Sequence, residues 1–182
     1  MQFIAAPLFC MLMASQAVPA LAGGKEEMNE GAYSLSKGNF TAAVEHYNAA
    51  LQSGEFNGEA LSVMLISRGQ AHYHLKNFDL AAGDLTLAID SGFMNNTLVG
   101  IALATRASVY RLDGKLDLAI EDFDAAIKLG TVNDKMYFHR GLTLEEDGQA
   151  LRAVEDFRRA FEMVPDNDSY RDKLLELGGT IN

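Results

Sequence analysis

Residues 106–114 read RASVYRLDG and residues 140–148 read RGLTLEEDG, and this shared pattern decides the fold. The same residue types follow both segments at the same offsets: Ala119 or Ala153, Phe123 or Phe157, and Ala126 or Ala160. Two earlier copies of the pattern span residues 31–50 and 68–88. The small residues that align among the four copies lie 38, 38 and 34 residues apart, at Gly31, Gly69, Ala107 and Gly141. A repeat of this length predicts a solenoid of stacked units.

The residue types within each copy predict two antiparallel helices joined by a tight turn. In the third copy, Ala104 and Ala107 share one helical face, and Ala119 and Phe123 share a face of the next helix. Small residues on one helix allow an aromatic ring of its neighbour to approach closely. Glycines are placed where turns and helix ends require them, at Gly114 and Gly148 within copies and at Gly54, Gly92 and Gly130 between copies.

The order of these residues resembles the tetratricopeptide repeat, a helix–turn–helix unit of 34 residues. The resemblance covers about residues 25–166, and Pro165 closes the last copy as that repeat often does. It implies an all-α fold, a right-handed α-solenoid of helix–turn–helix repeats with a C-terminal capping helix. The repeats are expected at residues 24–57, 62–95, 100–133 and 134–167, and the capping helix at residues 168–178.

The four extra residues in the longer spacings have two explanations. Candidate N-caps lie 12, 10 and 8 residues before the aligned small residues, at Asn57, Thr97 and Asn133. We expect from this that the first helices of copies two and three begin about one turn early. A longer loop between the repeats is the alternative.

The first 22 residues carry no charge, and Ala20-Leu21-Ala22 forms an A-x-A cleavage signal before Gly23. The apolar run over residues 3–14 is shorter than the stretch of about 20 residues that spans a bilayer. The pattern is typical of a secretory signal peptide at residues 1–22, without the usual basic residue at its start. Cleavage would also remove Cys10, the single cysteine. We therefore expect an exported protein, periplasmic or secreted, in a Gram-negative bacterium.

The charge and the motifs argue against several classes of function. A net charge of −10 disfavours nucleic acid and anionic membrane surfaces as partners, and we expect no stable membrane insertion after cleavage. His72 and His74 are two residues apart on a helix, so they point to different faces and do not share a metal. The sequence contains no phosphate-binding loop or nucleophile motif. We predict no enzymatic activity, no catalytic residues, no metal and no cofactor.

An arginine and an aspartate recur 16 residues apart in copies two to four. The pairs are Arg68 with Asp84, Arg106 with Asp122, and Arg140 with Asp156. An antiparallel hairpin places these two columns opposite each other, and a guanidinium holds a carboxylate through two parallel hydrogen bonds. We predict structural ion pairs within these repeats or to the next helix. A ladder of arginines that binds the carboxylates of a ligand is the alternative. The first copy has Glu30 and His46 in these columns.

In the family that the sequence resembles, the first helix of each repeat lines a binding groove. Transferred column by column, the resemblance implies a partner-binding groove of Met28, Ile66, Gln70, Tyr73, His74, Ser108, Arg111, Phe138, Leu142 and Glu145. Such a groove suits an extended or helical peptide. Ile66, Phe138 and Leu142 fit core positions equally well. We expect a protein–protein interaction module, an adaptor, scaffold or assembly factor; a self-assembling structural module and a small-ligand carrier using the same groove are the alternatives.

Overall fold

The computed structural model describes residues 23–180 of the chain. These residues form nine α-helices and no strand: α1 (Gly24–Ser36), α2 (Phe40–Gln52), α3 (Gly58–His74), α4 (Phe78–Asp90), α5 (Asn96–Leu112), α6 (Leu116–Lys128), α7 (Asp134–Glu146), α8 (Ala150–Met163) and α9 (Asp168–Glu176). None of these nine helices is long and apolar enough to cross a membrane. The predicted signal peptide, residues 1–22, lies outside the described residues.

The helices form four consecutive pairs followed by a single helix. We call α1, α3, α5 and α7 the leading helices, and α2, α4, α6 and α8 the trailing helices. Each leading helix packs against the trailing helix that follows it, and each trailing helix packs against the next helix along the chain. Neighbouring leading helices also contact each other, whereas neighbouring trailing helices within residues 23–180 make no comparable contact. The leading helices therefore line the inner, concave side of a curved stack.

The aligned small residues allow the two helices of a repeat to pack closely. A methyl group on Gly141 would lie 2.7 Å from the ring of Phe157, and one on Gly31 would lie 2.9 Å from the ring of Tyr47. Phe157 is fully buried and Tyr47 is 2% exposed. Burying a ring of this size contributes about 3 kcal/mol, and the glycine provides the space for it. The prediction of four aligned helical pairs is confirmed.

The turn within each pair requires a positive φ. Gly38, Gly114 and Gly148 have φ values of 76°, 76° and 77° at this position. The second repeat has Lys76 there, and its φ is 60°. A residue with a Cβ atom loses roughly 1–2 kcal/mol in this conformation. The packing of α3 against α4 therefore imposes a strained turn that the local sequence does not favour.

The early start of two leading helices is confirmed. The helices α3 and α5 contain 17 residues each, whereas α1 and α7 contain 13 each. The extra residues precede the predicted repeat boundaries, since α3 begins at Gly58 and α5 at Asn96 rather than near residues 62 and 100. The longer spacing is thus helical, and no longer loop is present between these repeats.

One of the three predicted N-caps is wrong. Asn133 caps α7 through its side chain, and Asn57 stands at the cap of α3 without a side-chain hydrogen bond. The cap of α5 is Asn95, whose side chain accepts a hydrogen bond of 3.0 Å from the backbone N–H of Leu98. Thr97 lies inside the first turn of α5. Both Asn95 and Thr97 are common capping residues, so their type alone did not distinguish them.

The last helix, α9, covers the end of the stack. Leu174 is fully buried in the cluster that contains Phe157, and Tyr170 is 5% exposed. The Tyr170 hydroxyl donates a hydrogen bond of 2.7 Å to the carboxylate of Asp134. Burial of the hydroxyl, together with this hydrogen bond, raises the pKa of Tyr170 to about 12. The helix seals the apolar face that the last repeat would otherwise present to water.

Candidate functional site

The three predicted arginine–aspartate pairs are bidentate in the structure. The Nε and Nη2 atoms donate to the two carboxylate oxygens over 2.8 and 2.6 Å for Arg68–Asp84, 2.7 and 2.8 Å for Arg106–Asp122, and 2.6 and 2.7 Å for Arg140–Asp156. The side chain of Asp156 is 2% exposed and that of Asp122 is 10% exposed. The hydrogen bonds to Asp122 raise the pKa of the Arg106 guanidinium. Each pair fastens a leading helix to its own trailing helix.

Each of these arginines also reaches the preceding repeat. The Nη1 atom donates to a side chain on the previous trailing helix: Arg68 to Asn48 over 2.7 Å, Arg106 to Thr86 over 2.9 Å, and Arg140 to Asp124 over 2.6 Å. One guanidinium therefore joins three helices and two repeats. Each of the three guanidinium groups is bonded to protein acceptors through Nε, Nη1 and Nη2, which supports the interpretation as structural ion pairs over a ladder that binds the carboxylates of a ligand.

The first repeat is built differently at these columns. No helix of the described chain precedes α1, so its arginine column has no trailing helix to join. Glu30 occupies that column and is exposed. His46, in the aspartate column, has its Nδ1 atom 2.8 Å from a carboxylate oxygen of Glu27. Within residues 23–180, the first copy therefore lacks the three-helix link that the other repeats share.

The concave face carries a cleft of about 530 Å³ between α3, α5 and α7. Its walls are formed by Gln70, Tyr73 and His74 from α3, by Ile101, Ala104, Thr105 and Ser108 from α5, and by Lys135 and His139 from α7. The buried side chains of Phe123 and Met136 form its floor. A volume of this size lies within the range of roughly 300–1,000 Å³ that is typical of binding pockets. We refer to this feature as the concave cleft.

Four residues of the predicted groove line the concave cleft, and they are Gln70, Tyr73, His74 and Ser108. The aromatic rings among them form an ordered wall at α3. The ring of His74 stacks on Phe40 with a centroid distance of 4.2 Å, and Tyr73 meets His74 edge to face at 5.1 Å. The side chains of this wall are therefore already fixed by packing before any partner arrives.

The structure engages other predicted groove residues in core packing or in an ion pair. Ile66 is 6% exposed and belongs to the core between the second and third repeats. Met28 packs against the core of the first repeat, around Tyr47. Arg111 lies beside the concave cleft and binds Glu146 of α7 over 2.7 Å, with 14% of its side chain exposed. We therefore leave these residues out of the contact surface.

At the last repeat, the predicted groove residues are engaged by the C-terminal helix. The ring of Phe138 lies 4.7 Å from that of Tyr170, and Glu145 accepts a hydrogen bond of 2.9 Å from Lys173. Leu142 packs in the same cluster as Leu174. This end of the predicted groove is closed by α9, so the accessible part is confined to the region between α3 and α7.

Several residues of the concave cleft were not predicted from the sequence, and Thr105, Lys135 and His139 are among them. These three residues lie two or six positions before the aligned small residue of their repeat. That spacing was the signal in the sequence that could have identified them. Thr105 precedes Ala107 by two residues, as His139 precedes Gly141. On a helix, these positions border the groove face that was considered.

The electrostatics of the concave cleft differ from those of the whole chain. Its lining includes Lys135 and His139 but no aspartate or glutamate, although the net charge of the chain is −10. Burial lowers the pKa of His139, and the charges of Arg111 and Lys135 lower it further. The His139 ring is therefore neutral at pH 7. No group of three His, Cys, Asp or Glu side chains within residues 23–180 is placed to hold a metal ion.

Two polar atoms beside the concave cleft lack hydrogen-bond partners among the described residues. They are Nδ1 of His139 and Nε of Arg111, and both are buried. An unsatisfied buried polar atom costs roughly 1–3 kcal/mol. Departures of this kind from good packing concentrate at functional sites. The region around His139 therefore contains a buried polar atom that the described residues leave unpaired.

Comparison with known proteins shows one family throughout the stack. The tetratricopeptide repeat model matches residues 28–92 and 104–168. Among solved structures, MamA 41-end from Desulfovibrio magneticus RS-1 is similar over 85% of this chain and 82% of its own length, with 16% identity and a TM-score of 0.72. YrrB, described as a TPR protein with an unusual peptide-binding site, is similar over 82% and 73%, with 19% identity and a TM-score of 0.68.

A third similar structure contains a bound peptide. It is the first TPR of Spaghetti (RPAP3) bound to the HSP90 peptide SRMEEVD, which is similar over 65% of this chain and 91% of its own length, with 24% identity and a TM-score of 0.59. At these identities the similarities establish the fold alone. No curated protein sequence matches the chain.

Proposed function

The chain belongs to the tetratricopeptide repeat family, and we propose that it is a non-catalytic adaptor whose concave cleft binds a segment of another protein. The observation that carries this proposal is the concave cleft itself, formed by three successive leading helices over a packed floor of Phe123 and Met136. Helices that are fixed before binding reduce the ordering cost of association on the side of the host. A mixed apolar and polar lining suits a peptide with a few anchoring side chains.

The similar structures support peptide binding as the mode. YrrB is described as having a peptide-binding site, and the Spaghetti (RPAP3) repeat is bound to an HSP90 peptide. Their identity to this chain is 19% and 24%, so they support the mode of binding and do not indicate the partner. An adaptor, a scaffold and an assembly factor all use such a surface.

The shape of the surface favours a protein segment over the two alternatives. A small-ligand carrier encloses its ligand, whereas His74, Ile101 and Lys135 on the cleft walls are exposed to solvent. End-to-end stacking between chains needs two open ends, and α9 covers one of them through Tyr170 and Leu174. An open cleft in the middle of the stack remains available to a peptide.

We place this activity outside the cytoplasm, in the cell envelope of a Gram-negative bacterium or in its surroundings. The uncharged segment at residues 1–22 and its A-x-A motif support export. The absence of cysteine after residue 22 is compatible with an oxidising compartment. N-terminal sequencing of the protein recovered from the periplasm tests this directly, and a mature protein that begins at Gly23 is the expected result.

Site-specific photo-crosslinking in living cells tests the binding role. A photoreactive amino acid is placed at Tyr73 in the concave cleft, and the control is placed at Lys128, which is exposed at the end of trailing helix α6. A discrete heavier band from position 73 alone is expected. Labelling at both positions with twice the mass of the monomer would support self-assembly instead, and no labelling at position 73 in the folded protein would contradict the proposal.

A further inference from the structure

We propose that α4 binds α4 of a second copy of this chain, in antiparallel orientation, through a surface on the convex side of the stack. The surface consists of Leu80, Gly83 and Leu87, and we call it the α4 face. It belongs to a trailing helix, whereas leading helices form the walls of the concave cleft. This dimer therefore does not depend on the function proposed for the concave cleft.

The α4 face exposes large apolar side chains to water. Leu80 is 58% exposed and Leu87 is 61% exposed. Residues three, four and seven positions apart lie on one side of a helix, so Leu80, Gly83 and Leu87 form one apolar strip. Isolated apolar side chains are common on protein surfaces, whereas a contiguous exposed strip marks an interaction site.

The other trailing helices show the same face in its charged form. The column of Gly83 contains a glutamate in each of the other three repeats, and these residues are Glu45, Glu121 and Glu155. In α8, the columns of Leu80 and Leu87 contain Arg152 and Arg159, and both arginines are exposed. The fold thus accepts charged residues at all three positions, and α4 alone among the four trailing helices has none of them.

The packing of the chain itself does not explain Gly83. The residue is exposed in the interior of α4, and a Cβ atom added to it would meet nothing within 4 Å. In the interior of an exposed helix, glycine is less favourable than every residue except proline. A glycine on a contact surface allows the backbone of a second helix to approach closely. We therefore place Gly83 at the centre of the contact.

The apolar residues of the α4 face are complementary to themselves in the antiparallel direction. Leu80 lies three residues before Gly83, and Leu87 lies four residues after it. When two antiparallel helices meet with Gly83 next to their twofold axis, Leu80 of each copy faces Leu87 of the other. The same contact therefore forms twice.

The charges at the two ends of α4 select the antiparallel orientation. Lys76 lies seven residues before Gly83, and Asp90 lies seven residues after it. Both are exposed, and neither forms an ion pair within residues 23–180. Antiparallel pairing places Lys76 of each copy opposite Asp90 of the other, whereas parallel pairing would place like charges together.

A shallow depression beside Leu80 provides space for the opposing Leu87. Its volume is about 320 Å³, and its lining consists of Lys76, Asn77, Phe78, Asp79, Leu80 and Asp113. The two carboxylates of this lining lie near a cation, because Nζ of Lys115 is 2.6 Å from Asp113 and 3.9 Å from Asp79. The depression therefore does not present an unbalanced negative charge to the incoming apolar side chain.

The neighbouring helices confine the contact to α4. Glu45 of α2 and Glu121 of α6 are exposed beside the α4 face and would repel their counterparts, although Leu118 of α6 adds an apolar group that is 43% exposed. The net charge of −10 on each copy opposes association further. One helix from each copy buries less than the roughly 1,200–2,000 Å² of a standard interface. We therefore expect a weak, reversible dimer with a Kd of about 10–100 μM.

This arrangement leaves the concave cleft of each copy open. The two copies meet through their convex sides, so their concave clefts face away from each other. With both clefts functional, the dimer presents two binding sites to a partner that carries two copies of the recognised segment.

Sedimentation equilibrium of the purified protein tests the dimer. Between about 1 and 300 μM, we expect the mean mass to rise from that of a monomer toward that of a dimer. Gly83→Glu introduces the carboxylate that the other trailing helices carry, so we expect an intact fold and at least tenfold weaker association. The matched control is Ser169→Glu, which adds the same charge at an exposed position of α9 and should associate as the wild type does. A monomer at every concentration, or equal association of Gly83→Glu and the wild type, would overturn the proposal.

Exchanging the charges tests the antiparallel orientation. Lys76→Asp and Asp90→Lys each place like charges opposite one another, and each should weaken the dimer about tenfold. Aspartate tolerates the positive φ of position 76. The double variant Lys76→Asp/Asp90→Lys restores opposite charges, and its affinity should return to within about threefold of the wild type. A double variant weaker than either single variant would overturn the antiparallel pairing.

A different occupant of the α4 face would give a different result. If the face bound a helix of another protein, the purified wild type would remain monomeric at about 300 μM, and only the complex with that protein would be lost in Gly83→Glu. This result would overturn the second copy as the occupant and leave the role of the concave cleft unaffected. Unfolding at a few micromolar, below the expected Kd, reports on the monomer.

Discussion

Replacing Asp122 by alanine tests how the stack is held together. Asp122 accepts two hydrogen bonds of 2.7 and 2.8 Å from Arg106, and the two side chains are 10% and 16% exposed. Its removal leaves the guanidinium with the single bond to Thr86. Removing one partner of a buried ion pair costs roughly 3–5 kcal/mol of folding stability. Because both side chains keep a small exposure, we expect a loss of about 3 kcal/mol. This is a large share of the roughly 5–15 kcal/mol that stabilises a typical domain.

Urea unfolding followed by circular dichroism measures this loss. With a slope of about 2 kcal/mol per molar urea, the midpoint should fall by about 1–2 M. The control is Asp124→Ala, because the Asp124 side chain is 46% exposed and its removal should cost at most about 1 kcal/mol. Adding Arg106→Met to Asp122→Ala should recover much of the loss, since the stranded charge is gone. An Asp122→Ala midpoint equal to that of the wild type would refute the structural role of the pair.

Three further changes have defined expectations. Lys76→Gly should stabilise the fold by about 0.5–1 kcal/mol, or roughly 2 °C in a thermal melt. The reason is that the strain energy of lysine at a φ of 60° is larger than the free energy lost through the greater freedom of glycine in the unfolded chain. Gly141→Ala should destabilise the fold by about 1–3 kcal/mol in urea unfolding, because the new Cβ atom would lie 2.7 Å from the Phe157 ring. Burial lowers the pKa of both His72 and His139, so the native protein binds fewer protons than the unfolded chain between the lowered pKa values and about pH 7. Stability in thermal melts should therefore fall as the pH decreases from 7 through 6.5 toward the lowered pKa values.

Each of these changes has its own control. Gly83→Ala is the match for Gly141→Ala, since a Cβ atom at Gly83 meets nothing within 4 Å on an exposed face of α4, and it should stabilise the protein by about 0.5–1 kcal/mol. Equal effects of the two alanines would contradict the packing argument. His139→Phe should flatten the pH profile of stability, and an unchanged profile would mean that His139 does not contribute to it. A loss of stability in Lys76→Gly would show that the turn is not strained.

The sequence predicted the arginine–aspartate pairs because their columns keep one spacing. A separation of 16 residues recurs in copies two to four, and hairpin geometry then places the two side chains opposite each other. The third hydrogen bond of each arginine was not predicted. Its acceptors Asn48, Thr86 and Asp124 share a column but differ in residue type, so only their common polarity and period pointed to them.

The accessible surface was less predictable than the fold. The alignment of the repeats predicts which face of each leading helix is concave. It does not predict how far an individual side chain on that face is buried. Ile66 and Ala104 occupy the same column, yet Ile66 is buried in the core and Ala104 lines the concave cleft. The difference depends on the three-dimensional fit of neighbouring repeats, which a single sequence does not contain. Phe138 was misplaced for another reason, since the contact with Tyr170 depends on where α9 docks.

The central claim is that the concave cleft is the binding surface for a protein partner. Its most direct test is the affinity of the partner isolated by crosslinking, measured for two arginine substitutions. Ala104→Arg fills the concave cleft, whereas Leu87→Arg adds the same side chain at a position on α4 that is 61% exposed. With both variants folded by circular dichroism, we predict at least a hundredfold loss of affinity for Ala104→Arg and no change for Leu87→Arg. Equal affinities, or a loss confined to Leu87→Arg, would contradict the account.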